Sequence, residues 1–333
     1  MSEPSADRGE VACGLARLAH RLGSSSGRVE NLARLSGGAT QEIWRFDLVE
    51  GDERRPLILR RAASLDWTAG SHVGLAVEAG LMRAAAANGV PVPDIIHLLS
   101  PGDGLGEGFV MAFVEGETLG GRIVRSPALA PARETLAQAC GAILARIGAI
   151  DPAGFPSLVR YDPAHLVDHW LVRYRGSGRA RPVFELAFRW LGDHCPPPPE
   201  RPRLVHGDFR NGNLMVGPEG VRAVLDWELA HLGDPMEDLG WLCVASWRFG
   251  RIGLPVGGFG DVDALKAGYE SVSDMPLDWN RLHWWEVFGT LRWGVMCAGM
   301  AEAFRTADPG VERGMIARRS SETEIDLLRL LAA

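Results

Sequence analysis

The chain has 333 residues, of which 46% are hydrophobic and 23% are charged, and its net charge is −7. These values are typical of a globular protein with a sizeable core, and the acidic balance gives no indication of a nucleic-acid partner. No apolar run is long enough to span a bilayer, and the first residues lack the basic-then-apolar pattern of a secretory signal. The five scattered cysteines indicate neither a zinc site nor a disulfide framework, so we expect a cytoplasmic protein.

The N-terminal third begins with a polar segment and continues into strand patterns. Residues 1–28 are predicted to be an N-terminal extension with a short helix from Val11 to Leu22. A turn of small residues follows, ahead of a strand from Ile43 to Val49 in which apolar and polar residues alternate. Such a turn lets backbone N–H groups approach phosphate oxygens, although an ordinary hairpin turn has the same composition. The turn consists of Ser36, Gly37, Gly38, Ala39 and Thr40.

Three more elements are predicted before the chain changes character. Leu57 to Arg60 is predicted to be a strand that ends in a cation. Val73 to Asn88 has a helix pattern, which stops before a Gly-Val-Pro-Val-Pro segment and includes Glu78. Phe109 to Glu115 is an apolar strand followed by an acidic-glycine turn. A boundary between two lobes is expected just after this strand.

Beyond the boundary the pattern becomes helical. Apolar residues on one face of 131–150 predict a long amphipathic helix. Further helices are predicted at 162–176, 183–194, 262–272, 279–304 and 315–332. Trp284, Trp285 and Trp293 fall in one of these helices, where packing between helices is favoured over an aromatic box for a quaternary amine.

The most informative stretch runs from Arg203 to Leu242. His206, Asp208 and Asn213 occur together at its start. Two short strands joined by a Pro-Glu-Gly turn follow, and Asp226 stands at the end of the second strand. Mg²⁺ prefers oxygen ligands and usually keeps substrate phosphates in its shell, so Asn213 and Asp226 are suited to hold it. Asp208 is then free to take a proton from an incoming hydroxyl group.

These residues resemble the catalytic core of the aminoglycoside phosphotransferase-like family, which has the protein-kinase-like fold. The kinase pattern is H-x-D-x-x-x-x-N followed by a metal-binding aspartate, and the sequence has all four groups in that order. Gly207 stands where protein kinases have an arginine, as in the small-molecule branch. Asp234, Pro235 and Asp238 resemble the G-D-P-x-x-D-L segment of that branch. Arg210 is at the place where protein kinases have a phosphate-contacting lysine. An arginine at this place more closely resembles the kinase-like domains fused to some acyl-CoA dehydrogenases.

The resemblance implies the roles of the catalytic residues. Asp208 is implied to be the base that accepts the proton of the acceptor hydroxyl. Arg210 is implied to contact the transferring phosphoryl group, for which its planar guanidinium is well suited. Asn213 and Asp226 are implied to be the Mg²⁺ ligands. Asp238 is implied to support the backbone of the catalytic loop.

The resemblance also implies a nucleotide site in the N-terminal lobe. Arg60 is implied to contact the phosphates, with Arg61 as the competing candidate if the register slips by one residue. Glu78 is implied to pair with the strand cation and hold it in place. The other residues implied to contact ATP are the turn residues Ser36, Gly37, Gly38, Ala39 and Thr40, the strand and hinge residues Met111, Ala112 and Val114, and Met215.

The fold class expected from this resemblance is α+β with two lobes. A small lobe at 29–116, with an antiparallel sheet and one helix, binds the nucleotide. A mainly helical lobe at 117–333 carries the catalytic residues and the acceptor. The implied activity is the ATP- and Mg²⁺-dependent transfer of a γ-phosphoryl group to a hydroxyl group of a small molecule, without a nucleic-acid or membrane partner.

Several alternatives stay open at the level of sequence. A nucleotide-binding pseudokinase and a metal-dependent hydrolase with His206 and Asp208 as ligands are the rival functions. Glu286 and Arg292 could face the acceptor, but ordinary exposed helix residues are the default interpretation. No acidic cluster of the kind that a polycationic aminoglycoside would demand is present, so the acceptor candidates are hydroxylated acyl thioesters or acids, amino alcohols and sugars. The sequence specifies neither ATP over GTP nor the oligomeric state.

Overall fold

The computed structural model describes residues 5–22, 27–35, 41–62, 73–176, 179–273, 275–306 and 311–332. The chain divides into two compact units. Unit 1 comprises residues 1–115 together with 222–230, and unit 2 comprises residues 116–221 together with 231–333. No helix in the described ranges combines the length and apolarity needed to cross a membrane.

Unit 1 is built on a five-stranded antiparallel sheet with the strand order β1-β2-β3-β5-β4. The second and third strands form a long hairpin whose register runs without a break from Gln41 opposite Ala62 to Glu50 opposite Glu53. The strands are β1 (Arg28–Leu35), β2 (Gln41–Glu50), β3 (Glu53–Ala62), β4 (Ile95–Leu98) and β5 (Gly108–Ala112). The sequence pattern predicted β2, β3 and β5 but gave no bounds for β1, which is largely exposed, and missed the short strand β4.

Two helices accompany this sheet, α1 (Ser5–Leu22) and α2 (Leu75–Ala87). The helix predicted at 11–22 therefore begins about two turns earlier. Val11, Leu15 and Leu18 recur at helical spacing and are buried in one core cluster with sheet residues such as Trp44 and Leu57. Because full burial of such side chains contributes about 1.5–3 kcal/mol each, α1 is an integral part of unit 1.

Unit 2 is mainly helical. The predicted helix at 131–150 is interrupted, and the one at 315–332 is preceded by a separate short helix. The helices are α3 (Gly120–Ile123), α4 (Ala130–Arg133), α5 (Leu136–Gly148), α6 (Pro163–Gly176), α7 (Pro182–Asp193), α8 (Met236–Cys243), α9 (Val262–Glu270), α10 (Leu282–Thr306), α11 (Val311–Ala317) and α12 (Ser320–Leu331). With the sheet of unit 1, they confirm the predicted α+β class.

Two small sheets lie within the stretch from Arg203 to Leu242. The strands β6 (Arg203–Val205) and β9 (His231–Gly233) pair antiparallel, and β7 (Leu214–Gly217) and β8 (Gly220–Val224) form the predicted hairpin. Gly220, the first residue of β8, has φ +131°, a conformation that favours glycine at this tight turn. The loop between β6 and β7 therefore has both of its ends fixed by strands.

Close packing of α8 against α10 depends on glycine. A Cβ atom on Gly240 would lie 2.4 Å from Cβ of Trp285, and one on Gly289 would lie 2.9 Å from Cγ2 of Val244. Neither distance is possible for a real Cβ, so only glycine allows the two helices to approach this closely. This contact sets the position of side chains from both helices beneath the loop that follows β6.

Candidate active site

The carboxylate of Asp208 is the centre of a hydrogen-bond network in unit 2. Its Oδ1 accepts from Nε1 of Trp241 at 2.8 Å and from Nε of Arg210 at 3.0 Å. Its Oδ2 accepts from Nδ2 of Asn213 at 2.7 Å. Only 15% of the side chain is exposed. Three donors thus hold this carboxylate in one orientation, and Oδ2 has the smaller number of partners.

The backbone of the same loop is fixed from two sides. Asp238 on α8 accepts from the backbone N–H groups of His206 at 2.7 Å and Gly207 at 2.9 Å. Nη2 of Arg292 on α10 donates to the carbonyl oxygen of Gly207 at 2.9 Å. Gly207 has φ +82°, a left-handed conformation that favours glycine at the place where the kinase pattern has an arginine. His206 is fully buried, and its Nδ1 accepts from the N–H of Asp208 at 3.2 Å.

Buried charges lie beneath this loop. Glu237 pairs with His231 at 3.0 Å and with Arg292 at 3.3 Å. Burial favours the protonated form of Glu237, but His231 and Arg292 outweigh it and hold the pKa of this carboxyl below its ordinary value. Burial, reinforced by the neighbouring charge of Glu237, raises the pKa of Asp238 to about 7. The support of the loop therefore includes a carboxyl group that titrates near neutral pH.

Arg210 is stacked as well as ion-paired. Its guanidinium lies over the ring of Trp247, 4.8 Å from the ring centroid. A Cβ atom on Gly212 would lie 1.9 Å from Nη1 of Arg210, so glycine at this position leaves the space that the guanidinium occupies. Nε of Arg210 donates to Oδ1 of Asp208.

Unit 1 contains a second polar centre around Arg60. Nη2 of this buried arginine lies 2.6 Å from Oδ1 of Asp226, 3.3 Å from Oε1 of Glu78 and 3.7 Å from Oε2 of Glu228. Arg61 instead donates to Glu42 at 2.7 Å. Of the two candidate arginines, Arg60 is therefore the one that the structure brings together with Glu78 and Asp226.

This centre has more acidic than basic groups. Glu78 is fully buried, and its Oε1 accepts from the N–H of Trp227 at 3.2 Å. Burial raises the pKa of Glu78 to about 7, although the positive charge of Arg60 opposes this shift. Asp226 has φ +66°, a left-handed conformation that is uncommon for residues other than glycine but that aspartate adopts more readily than most. One guanidinium thus faces three carboxyl groups, so this centre has more carboxyl groups than cationic groups.

The two predicted Mg²⁺ ligands offer oxygen atoms of the type that this ion prefers. Nδ2 of Asn213 donates to the carbonyl oxygen and to Oδ2 of Asp208, so the amide oxygen is the atom that could bind a cation. The side chain of Asp226 is 34% exposed, and one of its two oxygens is bonded to Arg60. Within the described ranges, no group of three or more His, Cys, Asp or Glu residues could hold a metal ion. An amide oxygen and a carboxylate oxygen are each ligand types that Mg²⁺ accepts.

The remaining residues that the resemblance implies at the nucleotide lie in the small-residue turn, at the end of β5 and on β7. The turn formed by Ser36, Gly37, Gly38, Ala39 and Thr40 lies outside the described residues. Met111 and Ala112 end β5, and Val114 follows, all three half-buried. The N–H of Ala112 donates to the carbonyl oxygen of Asp94 at 2.9 Å, so this N–H already has a partner. Met215 lies on β7, where a Cβ on Gly116 would be 2.7 Å from its Cγ.

The two residues proposed to face an acceptor are both largely buried. Arg292 is 8% exposed and supports the loop of Asp208. Glu286 forms an ion pair with Arg248 at 2.5 Å, and burial raises the pKa of its carboxyl. Neither has the exposed position that the default interpretation expected, and their contact with an acceptor stays a prediction.

The tryptophans of α10 have separate roles. Trp284 and Trp285 are buried, and their indole N–H groups donate to the carbonyl oxygen of Leu191 and to Oδ2 of Asp234. The core interpretation of these two residues is confirmed. Trp293 packs against Trp247 with 4.9 Å between the ring centroids. Sequence reasoning missed Trp241, since nothing in its local pattern indicates a contact with Asp208.

The sheet, the helical unit and the fixed Asp208 loop define a protein of the kinase-like phosphotransferase class. The model of the phosphotransferase enzyme family matches residues 31–274, and the chain belongs to this family. The predicted resemblance is thus confirmed at the level of the family.

Two longer relatives share sequence with this chain. It is 31% identical over 265 residues to acyl-CoA dehydrogenase family member 10 of Mus musculus, a match that covers 76% of this chain and 24% of the relative. It is 30% identical over 205 residues to acyl-CoA dehydrogenase family member 11 of Gallus gallus, with coverage of 58% and 25%. The chain therefore spans about a quarter of the length of these relatives.

Solved structures with the same fold include phosphotransferases and a kinase. A putative aminoglycoside phosphotransferase from Ralstonia eutropha has a TM-score of 0.71 at 22% identity, covering 95% of this chain and 97% of that one. Macrolide 2'-phosphotransferase type I has a TM-score of 0.64 at 19% identity, with coverage of 98% and 99%. Choline kinase from Cryptosporidium parvum has a TM-score of 0.61 at 12% identity, with coverage of 97% and 95%. At these identities the similarity shows the fold alone.

Proposed function

We propose that this chain is an ATP- and Mg²⁺-dependent kinase that transfers the γ-phosphoryl group to a hydroxyl group of a small molecule. Membership of the phosphotransferase family supports the reaction class. The observation that carries the finer proposal is the carboxylate of Asp208, which is partly exposed yet fixed by three hydrogen bonds. We further expect the protein to act in the cytoplasm.

Asp208 is the proposed base. Since its Oδ1 already accepts two hydrogen bonds and its Oδ2 accepts one, Oδ2 is the atom best able to receive the acceptor hydroxyl. The hydroxyl oxygen forms a bond to the γ-phosphorus, the bond from phosphorus to the bridging oxygen of ADP breaks, and the hydroxyl proton passes to Oδ2. Positioning of the hydroxyl is the main contribution, since phosphoryl transfer needs little covalent chemistry from the protein.

The side chains proposed to contact the phosphates are two arginines, one from each unit. Arg210 can direct its Nη groups to the transferring phosphoryl group while its stacking on Trp247 limits the motion of the side chain. Arg60 is the proposed contact of the nucleotide phosphates, and its pairing with Glu78 holds it in place. Both are arginines in a chain whose single lysine is Lys266, and a guanidinium can bind phosphate through two nitrogens.

Asn213 and Asp226 are the residues proposed to hold Mg²⁺. When bound, Mg²⁺ would supply positive charge to offset that of the nucleotide phosphates. The surplus of carboxyl groups around Arg60 supports the assignment, because a bound cation would balance their charge.

Release of ADP in the presence of a hydroxyl-bearing acceptor tests the proposal. A panel of hydroxylated acyl thioesters and acids, amino alcohols and sugars is incubated with ATP and Mg²⁺, with parallel reactions that lack the acceptor or the Mg²⁺. We expect at least one acceptor to raise ADP release well above both controls and to appear as a phosphorylated product by mass spectrometry. ADP release that is the same with every acceptor as without one would contradict the proposal.

Two rival functions predict different outcomes in this experiment and in a measurement of the metal content of the purified protein. A pseudokinase would bind ATP and release no ADP with any acceptor. A metal-dependent hydrolase would retain zinc or iron through purification. The hydrogen bond from the N–H of Asp208 to His206 favours a structural role for this histidine over a metal ligand.

A further inference from the structure

Trp241 contacts the carboxylate of Asp208 directly and is itself tightly held. Only 3% of its surface is exposed, and its Nε1 lies 2.8 Å from Oδ1 of Asp208. The guanidinium of Arg292 lies over its ring, 4.6 Å from the centroid. Trp247 contacts the ring edge-on, with 5.2 Å between the centroids and 65° between the planes. The indole N–H therefore has a fixed direction in this structure.

The two donors on Oδ1 differ in what else they can do. Arg210 carries a flexible side chain, 28% of which is exposed, and its charge is needed at the transferring phosphoryl group under the proposed mechanism. Trp241 has two side-chain torsions, both fixed by packing, and its indole group is a donor only. If Arg210 turns toward phosphate, Trp241 still holds Oδ1, so the carboxylate keeps its orientation.

We infer that Trp241 is a positioning residue for Asp208, whose indole N–H keeps Oδ2 directed to the acceptor hydroxyl while Arg210 engages phosphate. The inference rests on the proposed function of Asp208 as the base. Arg292 contributes from behind, because one side chain both covers the Trp241 ring and binds the carbonyl oxygen of Gly207. The ring and the loop backbone are thereby held by a common support on α10.

Replacement of the indole by a ring without the N–H tests this role. Trp241→Phe keeps an aromatic ring between Arg292 and Trp247 but removes the donor. We expect kcat to fall about tenfold, as for the loss of a hydrogen bond to a charged group, with KM for ATP unchanged. Trp293→Phe is the matched control, since the buried Nε1 of Trp293 has no hydrogen-bond partner among the described residues. This control should stay within about twofold of the wild type in kcat.

The outcomes of the kinetic test are distinct. A loss in kcat confined to Trp241→Phe supports the inference. Unchanged kcat in Trp241→Phe, an equal loss in both variants, or a loss that appears only as a higher KM for ATP would overturn it. If the role of Trp241 were purely structural, the variant would have a lower yield or melting temperature. It would not show a lower kcat together with an unchanged KM for ATP.

A spectroscopic measurement tests the contact without turnover. In protein labelled with ¹⁵N at the indole groups, the Nε1–H signal of Trp241 is assigned by its disappearance in Trp241→Phe or, if that variant does not fold, in Trp241→Tyr. We expect Asp208→Ala to move this signal strongly and to leave that of Trp293 in place. An unchanged Trp241 signal would overturn the inference even if the chain is an active kinase. A shifted signal in a chain that phosphorylates no acceptor would instead count against the proposed function.

Discussion

The polar centres of the two units differ in how their charges are balanced. In unit 1, the single guanidinium of Arg60 faces Glu78, Asp226 and Glu228. In unit 2, the carboxylate of Asp208 is surrounded by donors, one of which is charged. The first centre has more carboxyl groups than cationic groups. In the second, the carboxylate of Asp208 already accepts three hydrogen bonds.

This difference separates binding from positioning. A centre with surplus carboxyl groups gains stability when a cation enters, and one of its carboxyls, Glu78, has a pKa raised to about 7 by burial. A carboxylate with three hydrogen bonds gains little from a further ligand but has a defined direction. We therefore expect changes in the first centre to alter affinity for nucleotide and metal, and changes in the second to alter turnover.

The largest expected effect is that of Asp208→Asn. The amide has nearly the shape of the carboxylate but cannot accept the proton, so kcat should fall by about 10²- to 10⁴-fold. Binding of ATP should stay nearly unchanged, since the proposed base does not contact the nucleotide. Turnover is measured by ADP release and binding by calorimetric titration. Equal turnover of the variant and the wild type would remove Asp208 from this role.

Arg210→Ala should lower kcat by about 10²- to 10³-fold with little change in KM for ATP, because a preorganised cation acts most on the transition state. Arg210→Lys should recover part of this loss. The matched change Gly212→Ala keeps the arginine but places a methyl group where its Nη1 lies, so it should also reduce kcat. A higher KM for the acceptor at constant kcat would instead assign Arg210 to acceptor binding.

Asp226→Ala tests the first centre. Loss of this carboxylate should remove the Mg²⁺-dependent part of ATP affinity, by at least the roughly 10- to 100-fold that loss of a supporting residue causes at metal sites. Calorimetric titrations with ATP, with and without Mg²⁺, measure the difference. Glu228→Gln is the matched control, since its carboxylate lies farther from Arg60, at 3.7 Å, and is not a proposed metal ligand. Equal losses in the two variants would show that overall charge, not ligation, is responsible.

The last expected effect is on folding stability and concerns the support of the second centre. The pKa of Asp238, raised to about 7 by burial and by Glu237, lies above its unfolded value of 3.8. The folded protein thus binds this proton more tightly, and the associated stability is lost as pH rises from about 4 to 7. The difference in unfolding free energy between Asp238→Asn and the wild type should therefore shift in favour of the variant as the pH rises over this range, by on the order of 4 kcal/mol for a pKa that is raised from 3.8 to about 7. Urea unfolding at several pH values measures it, and a pH-independent difference would contradict the raised pKa.

Local patterns in the sequence were enough to predict the catalytic motif, several of the secondary-structure elements and the family. His206, Asp208 and Asn213 lie in one loop, and the short stretch of chain between them keeps them close to one another. The β7–β8 hairpin and the helix at 162–176 follow from turn residues and apolar periodicity, which also depend on near neighbours. The α+β class was expected from the resemblance of this motif to the phosphotransferase family. The motif resemblance led to the correct family for the same reason.

Tertiary structure decided the contacts that local patterns do not encode. Whether Arg60 or Arg61 meets Glu78 depends on which face of β3 is turned toward α2, and adjacent strand residues point to opposite faces. Trp241 and Arg292 are far apart in sequence, and they meet only because glycines let α8 and α10 pack closely. Arg292 therefore appeared from its sequence to be a surface residue, while its actual place is beneath the loop that carries Asp208.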